Sequence, residues 1–280
     1  MKSKVLFFLT VFAFATTSIF AQKWSDAAID SLIAKMSIEE KVGQMTQIDL
    51  GVVAEGGICN LKQPQRIDIA KLQEAIGKYK IGSILNVGCG SGTISGPNWN
   101  VIHQTIIKEN KKTARLPIPI LYGIDAIHGA NYIVGGTLFP QENGLSATWN
   151  PELARKMGMI TAYETRASGV PWNFSPVLDL GRKALWSRYF ETLGEDPHLA
   201  SEMGAALVKG YQGSALNSPY SVLSCMKHFV GYSCPNSGRD RTPAWIPERI
   251  MHELYLPSFK AAVDAGALTV MINSGDVNGI

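Results

Sequence analysis

Short, almost uninterrupted apolar runs alternate with amphipathic stretches along most of this chain, and that alternation restricts the fold more than any other feature. Residues 81–87, 118–124, 174–180, 222–230 and 268–273 read as strands, and residues 65–79, 98–112, 151–168, 198–212 and 247–264 between them read as helices. Strands that are apolar throughout and separated by helices imply parallel pairing with both sheet faces covered. That leaves a doubly wound sheet or a (β/α) barrel. Polar residues stand where the runs finish: Asn86, Asp125, Asp179, Lys227 with His228, and Asn273. A barrel converges the C-terminal ends of its strands on one pocket, and no Gly-x-Gly-x-x-Gly opens the first helix as a dinucleotide site would require. The reading is an α/β fold, an incomplete TIM-like (β/α) barrel. Five or six strand candidates are present where a closed barrel needs eight, and the last run ends seven residues before Ile280.

Ahead of the barrel, Ile29, Leu32, Ile33 and Met36 have the three-and-four spacing of one buried helix face, and Ser37-Ile38-Glu39-Glu40 has the pattern of a capping box. Residues 1–21 carry Lys2 and Lys4, an apolar run over 5–14, then small and polar residues ending at Ala21. This is the pattern of a secretory signal peptide, which sets the mature domain at residues 22–280 and the destination as periplasmic or secreted. Thr16 to Ser18 break the apolar run too early for a membrane span, so none is expected after signal removal.

The 280 residues are 46% hydrophobic and 18% charged, enough to bury a sizeable core. The net charge of +3 is small and the basic residues are scattered, which gives no footprint for nucleic acid. Cys59, Cys89, Cys225 and Cys234 include no C-x-x-C pair, and Cys225 reads as a buried small residue. The five histidines show no His-x-His or His-Glu-x-x-His spacing, so neither a metal nor another cofactor is expected.

Asp125 ends an apolar strand before a glycine-containing loop, where a carboxylate can accept from two adjacent sugar hydroxyls or cap a following helix. Lys227 and His228 offer an ammonium and an imidazole at another strand end; a buried ion pair with a neighbouring strand's acid is the alternative. In Trp186-Ser187-Arg188-Tyr189-Phe190-Glu191, Arg188 can fork onto two hydroxyls with Glu191 holding it, or form a structural salt bridge. Trp99, Trp172, Trp186 and Trp245 are available for stacking on a sugar or for the core.

Residues 32–45, Gly123-Ile124-Asp125-Ala126-Ile127-His128-Gly129, Phe174-Ser175-Pro176-Val177-Leu178-Asp179, residues 188–196 and Lys227-His228-Phe229 follow one another in the order of glycoside hydrolase family 3, which the chain resembles from about residue 25 to 280. The resemblance implies a barrel that binds the non-reducing-end glucosyl unit of a β-glucoside or β-linked gluco-oligosaccharide. Asp125, Arg188, Lys227 and His228 match the family's sugar-contacting residues, and Arg239 and Asp240 lie in a loop that would shape the same pocket.

It also implies a nucleophilic Asp in a Ser-Asp-aromatic motif beyond Ile280, and a general acid from a C-terminal α/β sandwich domain of the same polypeptide. No residue of this chain is therefore assigned a direct catalytic role. Asp276, in Gly275-Asp276-Val277-Asn278-Gly279, reads as a turn residue rather than a substitute nucleophile. Lys227-His228-Phe229-Val230-Gly231-Tyr232-Ser233, followed by Gly238-Arg239-Asp240-Arg241, lacks the His of the family's N-acetylglucosaminidases. That argues against amino-sugar substrates and favours the glucosidase or exo-glucanase branch, for which the resemblance implies hydrolysis of terminal non-reducing β-D-glucosyl residues with retention of configuration. A β-xylosidase, or a non-catalytic sugar-binding remnant, is the alternative.

Overall fold

Local capping chemistry fixes where most of the helices begin. The computed structural model describes residues 25–57, 64–87 and 93–280, so the signal segment, Cys59 and Cys89 lie outside it. Here α1 (Asp26–Lys35) forms where the spacing predicts a helix, but none of its side chains is buried. Ten residues are too few to build a core from their own side chains.

From Met36 onward, the Ser37 hydroxyl accepts the Glu40 N–H and the Glu40 carboxylate takes the Ser37 N–H, the expected capping box of α2 (Ile38–Gln44). Next come β1 (Gln47–Asp49), α3 (Leu50–Val53) capped by Asp49, α4 (Ile69–Gly77) capped by Asp68, and β2 (Ser83–Leu85). Then α5 (Gly96–Thr113) starts at Ser95, followed by β3 (Leu121–Ile124) and the short α6 (Glu142–Ser146). Asn150 before Pro151 opens α7 (Pro151–Ala167), and Asp196 before Pro197 opens α8 (Pro197–Gln212). In both, the cap side chain takes an N–H of the first turn and proline stands where no N–H is needed. Between them lie β4 (Trp172–Asn173) and a 3₁₀ turn (Tyr189–Glu191). The chain continues through β5 (Leu223–Phe229), α9 (Glu248–Ile250), a π-helical turn (Met251–Tyr255), α10 (Leu256–Asp264) and β6 (Thr269–Ile272).

The six strands are all parallel and neighbour one another in chain order, β1-β2-β3-β4-β5-β6. A doubly wound sheet reverses its strand order at a switch point; this order never reverses, as a barrel wall requires. The fold is thus the expected incomplete TIM-like (β/α) barrel. Two strands differ from the sequence reading. At three residues, β1 is too short to show a period. The strand expected over residues 174–180 is displaced to Trp172–Asn173, because Pro176 has no N–H to continue a ladder. The 174–180 segment still runs between its neighbours: Phe174 N–H donates to Ile124 O, and Leu178 N–H to Lys227 O.

Two apolar clusters back the sheet. One joins Leu72, Ile84, Trp99, Ile102 and Ile124 under α4 and α5; the other joins Met157, Leu178, Met203, Leu207, Tyr211 and Met226 under α7 and α8. The α7–α8 crossing is close enough to need glycine on both helices. A Cβ at Gly158 would stand 2.8 Å from Leu207 O, and one at Gly210 would come closer still to Arg155 O. Ordinarily Gly→Ala inside a helix stabilises by up to about 1 kcal/mol. Here we expect Gly158→Ala and Gly210→Ala to destabilise by roughly 1–3 kcal/mol through overpacking, whereas Gly96→Ala, which meets open space, stays within about 0.5 kcal/mol of the parent in urea unfolding.

Candidate functional site

The strand ends that the sequence marks with polar residues meet at the C-terminal rim of the sheet. Asn86 leaves β2 with a left-handed backbone, φ +49°, a conformation that asparagine tolerates better than most residues. The turn aims its side chain along the rim, where Nδ2 donates to Asp125 Oδ2 at 2.7 Å and Oδ1 accepts the Asp125 N–H at 3.1 Å. The Tyr122 hydroxyl in turn donates to Asn86 O at 2.6 Å. Asp125 is therefore held at both its backbone and its carboxylate.

Lys227, on β5 and only 2% exposed, reaches Asp125 Oδ1 with Nζ at 2.5 Å. Between β3 and β5 lies β4, so the two backbones are about 10 Å apart at ordinary strand spacing, and the pair closes because the side chains turn into the same concave face. Burial by itself would raise the Asp125 carboxyl, but the Lys227 ammonium and the Asn86 amide outweigh it and hold the group below its ordinary value. Its side chain stays 31% exposed, so part of the carboxylate still faces the mouth.

His228 follows Lys227 at a register shift in the β5–β6 ladder, where Lys227 pairs with Met271 and Phe229 with Ile272. Such an extra residue bends a strand and re-aims a side chain, and both Lys227 and His228 end up buried on the same rim. His228 Nδ1 stands 2.7 Å from Asp179 Oδ2, which also accepts the His228 N–H at 3.1 Å. On the other side of the ring, Arg188 Nη1 lies 3.2 Å from Nε2. A guanidinium only donates, so Nε2 is the acceptor and the proton sits on Nδ1, facing Asp179.

The Arg188 fork is spent on Glu191, with Nε to Oε1 at 2.8 Å and Nη2 to Oε2 at 2.6 Å. Burial would lower the guanidinium pKa, but the Glu191 carboxylate more than reverses that and raises it further. Tyr232 packs edge-on to both His228 and Trp186, and Trp186 Nε1 donates to Asp240 Oδ1 at 2.8 Å.

Asp125, Lys227, His228 and Arg188 thus form one continuous cluster, with Asp240 joined to it through Trp186. Arg239 is exposed and engaged through its backbone N–H, which donates to Ser237 Oγ. Of the tryptophans, Trp99 is core, Trp172 donates to Thr269 Oγ1, and Trp245 is exposed. Asp276 Oδ1 accepts the Gly279 N–H, as a turn residue does. Cys225 and Cys234 are free thiols, Cys225 buried as read. Among the described residues no three His, Cys, Asp or Glu side chains group as metal ligands would.

Asn86 and Asp179 were legible as polar strand ends, although not as the partners of Asp125 and His228. Tyr232 carried no signal beyond its place after Lys227-His228-Phe229. The arrangement offers the carboxylate, ammonium, guanidinium and imidazole that a polyhydroxylated ligand needs as acceptors and donors. Every carboxylate in it is already engaged by a donor.

The profile described as Glycosyl hydrolase family 3 N terminal domain matches residues 37–279. The lysosomal beta glucosidase of Dictyostelium discoideum is 45% identical over 91% of this chain and 32% of its own length. A beta-xylosidase of Formosa agariphila is 40% identical over 59% of this chain and 24% of its own. Among solved structures, the exo-1,3/1,4-beta-glucanase of a Pseudoalteromonas species superposes with a TM-score of 0.75 at 30% identity, covering 90% of this chain and 31% of that one. The chain spans under a third of the length of each of these proteins. With the strand order, the rim cluster and the sequence match in agreement, the chain belongs to glycosyl hydrolase family 3, of which residues 37–279 make the N-terminal domain.

Proposed function

We propose that this domain grips the terminal non-reducing sugar of a β-D-glucoside or β-linked gluco-oligosaccharide, in a polypeptide that hydrolyses the glycosidic bond with retention of configuration. The observation that carries the reading is the convergence of Asp125, Lys227, His228 and Arg188 on one rim from elements far apart in sequence. Asp125 would accept from adjacent hydroxyls, Lys227 and Arg188 would donate, and contacts that tighten as the ring flattens would lower the barrier. Retaining cleavage needs two carboxyl groups about 5–5.5 Å apart across the scissile bond. The family resemblance assigns the nucleophilic Asp and the general acid to other parts of the polypeptide. The N-terminal charge and hydropathy pattern supports export to the periplasm or medium. Among the described residues no helix is long and apolar enough to cross a membrane.

In the full-length polypeptide, Asp125→Ala should lower kcat/KM for an aryl β-D-glucoside by roughly 10³-fold, about 4 kcal/mol of transition-state stabilisation. Unchanged kinetics would remove Asp125 from the pocket. Proton NMR of the first product formed should show β-glucose; α-glucose would refute retention. The identity with a beta-xylosidase makes an aryl β-D-xyloside the second substrate to assay, and faster turnover of it would reassign the sugar.

The pH range of the grip follows from the sign of the Asp125 shift. A carboxyl held below its unfolded value contributes fully above that value, about pH 3.9, and its contribution is lost as pH falls through the folded one. Carboxyl ¹³C NMR should therefore place the Asp125 midpoint below about 3.9. In Lys227→Met the midpoint should move above it, because burial then acts against only the Asn86 amide and the more distant Arg188.

A further inference from the structure

Glu142, the first residue of α6, is completely buried and takes no part in the rim cluster. Leucine would fill the same space at a lower desolvation cost, so the carboxyl group needs a polar reason to be there. That reason lies in the 174–180 segment, whose backbone groups are used one after another. Ser175 O accepts the Ser224 hydroxyl at 2.7 Å, Pro176 O accepts the Lys227 N–H at 3.1 Å, and Leu178 N–H donates to Lys227 O at 2.7 Å. The Val177 N–H is turned toward α6, where Glu142 takes it with both oxygens, at 3.3 and 3.2 Å. The Ser175 hydroxyl, shared with Tyr211 at 2.8 Å, adds a third contact at 3.3 Å. Two residues beyond Val177, Asp179 holds His228.

We propose that Glu142 is a positioning residue for the sugar grip: its buried carboxyl group pins the Ser175–Val177 backbone, and through that segment sets Lys227 from one side and the Asp179–His228 pair from the other. The proposal rests on the reading that the rim cluster binds a sugar. Without Glu142, a buried Val177 N–H loses its acceptor, and any rotation that finds it another one pulls Pro176 O and Leu178 N–H off Lys227. A misplacement of about 1 Å in a binding constellation is worth as much as 10²-fold. Burial pushes the Glu142 carboxyl well above its ordinary value, against the Val177 N–H and the Lys227 ammonium. Glutamine, neutral and of the same shape, is therefore the close mimic.

The test measures glucose binding to the full-length polypeptide by NMR titration, with thermal unfolding and the ¹⁵N shifts of the His228 ring recorded for each variant. Glu142→Gln should bind glucose within about threefold of the parent. Glu142→Leu should bind at least about tenfold more weakly and lose the fixed Nδ1–H tautomer of His228. If Glu142→Leu does not fold, Glu142→Asp, which withdraws the carboxyl by one methylene, carries the same expectation. A folded Leu or Asp variant with parental affinity and an unchanged His228 ring, whatever its melting temperature, overturns the proposal. Asp125→Ala is the control: parental affinity there overturns the sugar grip itself, and loss of binding there leaves the Glu142 variants to decide the positioning role alone.

Discussion

An ammonium group almost removed from water must find a carboxylate, and the Lys227–Asp125 pair is the contact on which the rest of the rim depends. Lys227 belongs to the apolar cluster side of α7 and α8 through its neighbour Met226, whereas Asp125 follows Ile124 in the cluster under α4 and α5. The pair therefore joins the two halves of the sheet across β4. Removing one partner of such a buried pair typically costs about 3–5 kcal/mol, yet replacing both by packed apolar residues is often neutral or stabilising. An ion pair is thus a poor choice if stability alone is at stake. The choice makes sense where the outward part of the carboxylate has a ligand to meet.

The second half of the rim is organised around a histidine held from both sides. Asp179 and Arg188 approach opposite nitrogens of His228, and Glu191 holds Arg188 by two parallel hydrogen bonds. Each member is held by the next, although Asp179 Oδ1 is buried without a hydrogen-bond partner, and such networks are rigid to the extent that they are satisfied. The network also hangs from the same short segment that frames Lys227, since Asp179 lies one residue past the Leu178 N–H that binds Lys227 O. One irregular stretch of backbone, residues 175–179, therefore frames both halves of the rim cluster.

How much of this was legible in the sequence depended on distance along the chain. The barrel was legible because parallel strands buried on both faces leave long apolar runs, and the start of α2 because Ser37 and Glu40 announce it locally. Strand β1 left no period in three residues, and Pro176 moved β4 toward its N-terminal side. Within the site, Arg188 and Glu191 stand three residues apart and could be paired on sight. Lys227 with Asp125 and His228 with Asp179 could be placed on strand ends but not paired, since 102 and 49 residues separate them. Glu142 was invisible, because nothing in a sequence distinguishes a buried carboxyl at the start of a five-residue helix from a solvated one.

The formal charges of the rim favour one kind of ligand chemistry over another. Asp125, Asp179 and Glu191 stand beside Lys227, His228 and Arg188 on the rim. These carboxylates are oriented by fixed hydrogen bonds before any ligand arrives. A neutral sugar in its ground state has little use for their charge. A ring acquiring oxocarbenium character has a great deal, because positive charge then develops beside preorganised anions in a partly dehydrated pocket. On the proposed reading, residues that grip the hydroxyls would so distinguish the transition state from the substrate, which is the condition for binding energy to appear in the rate.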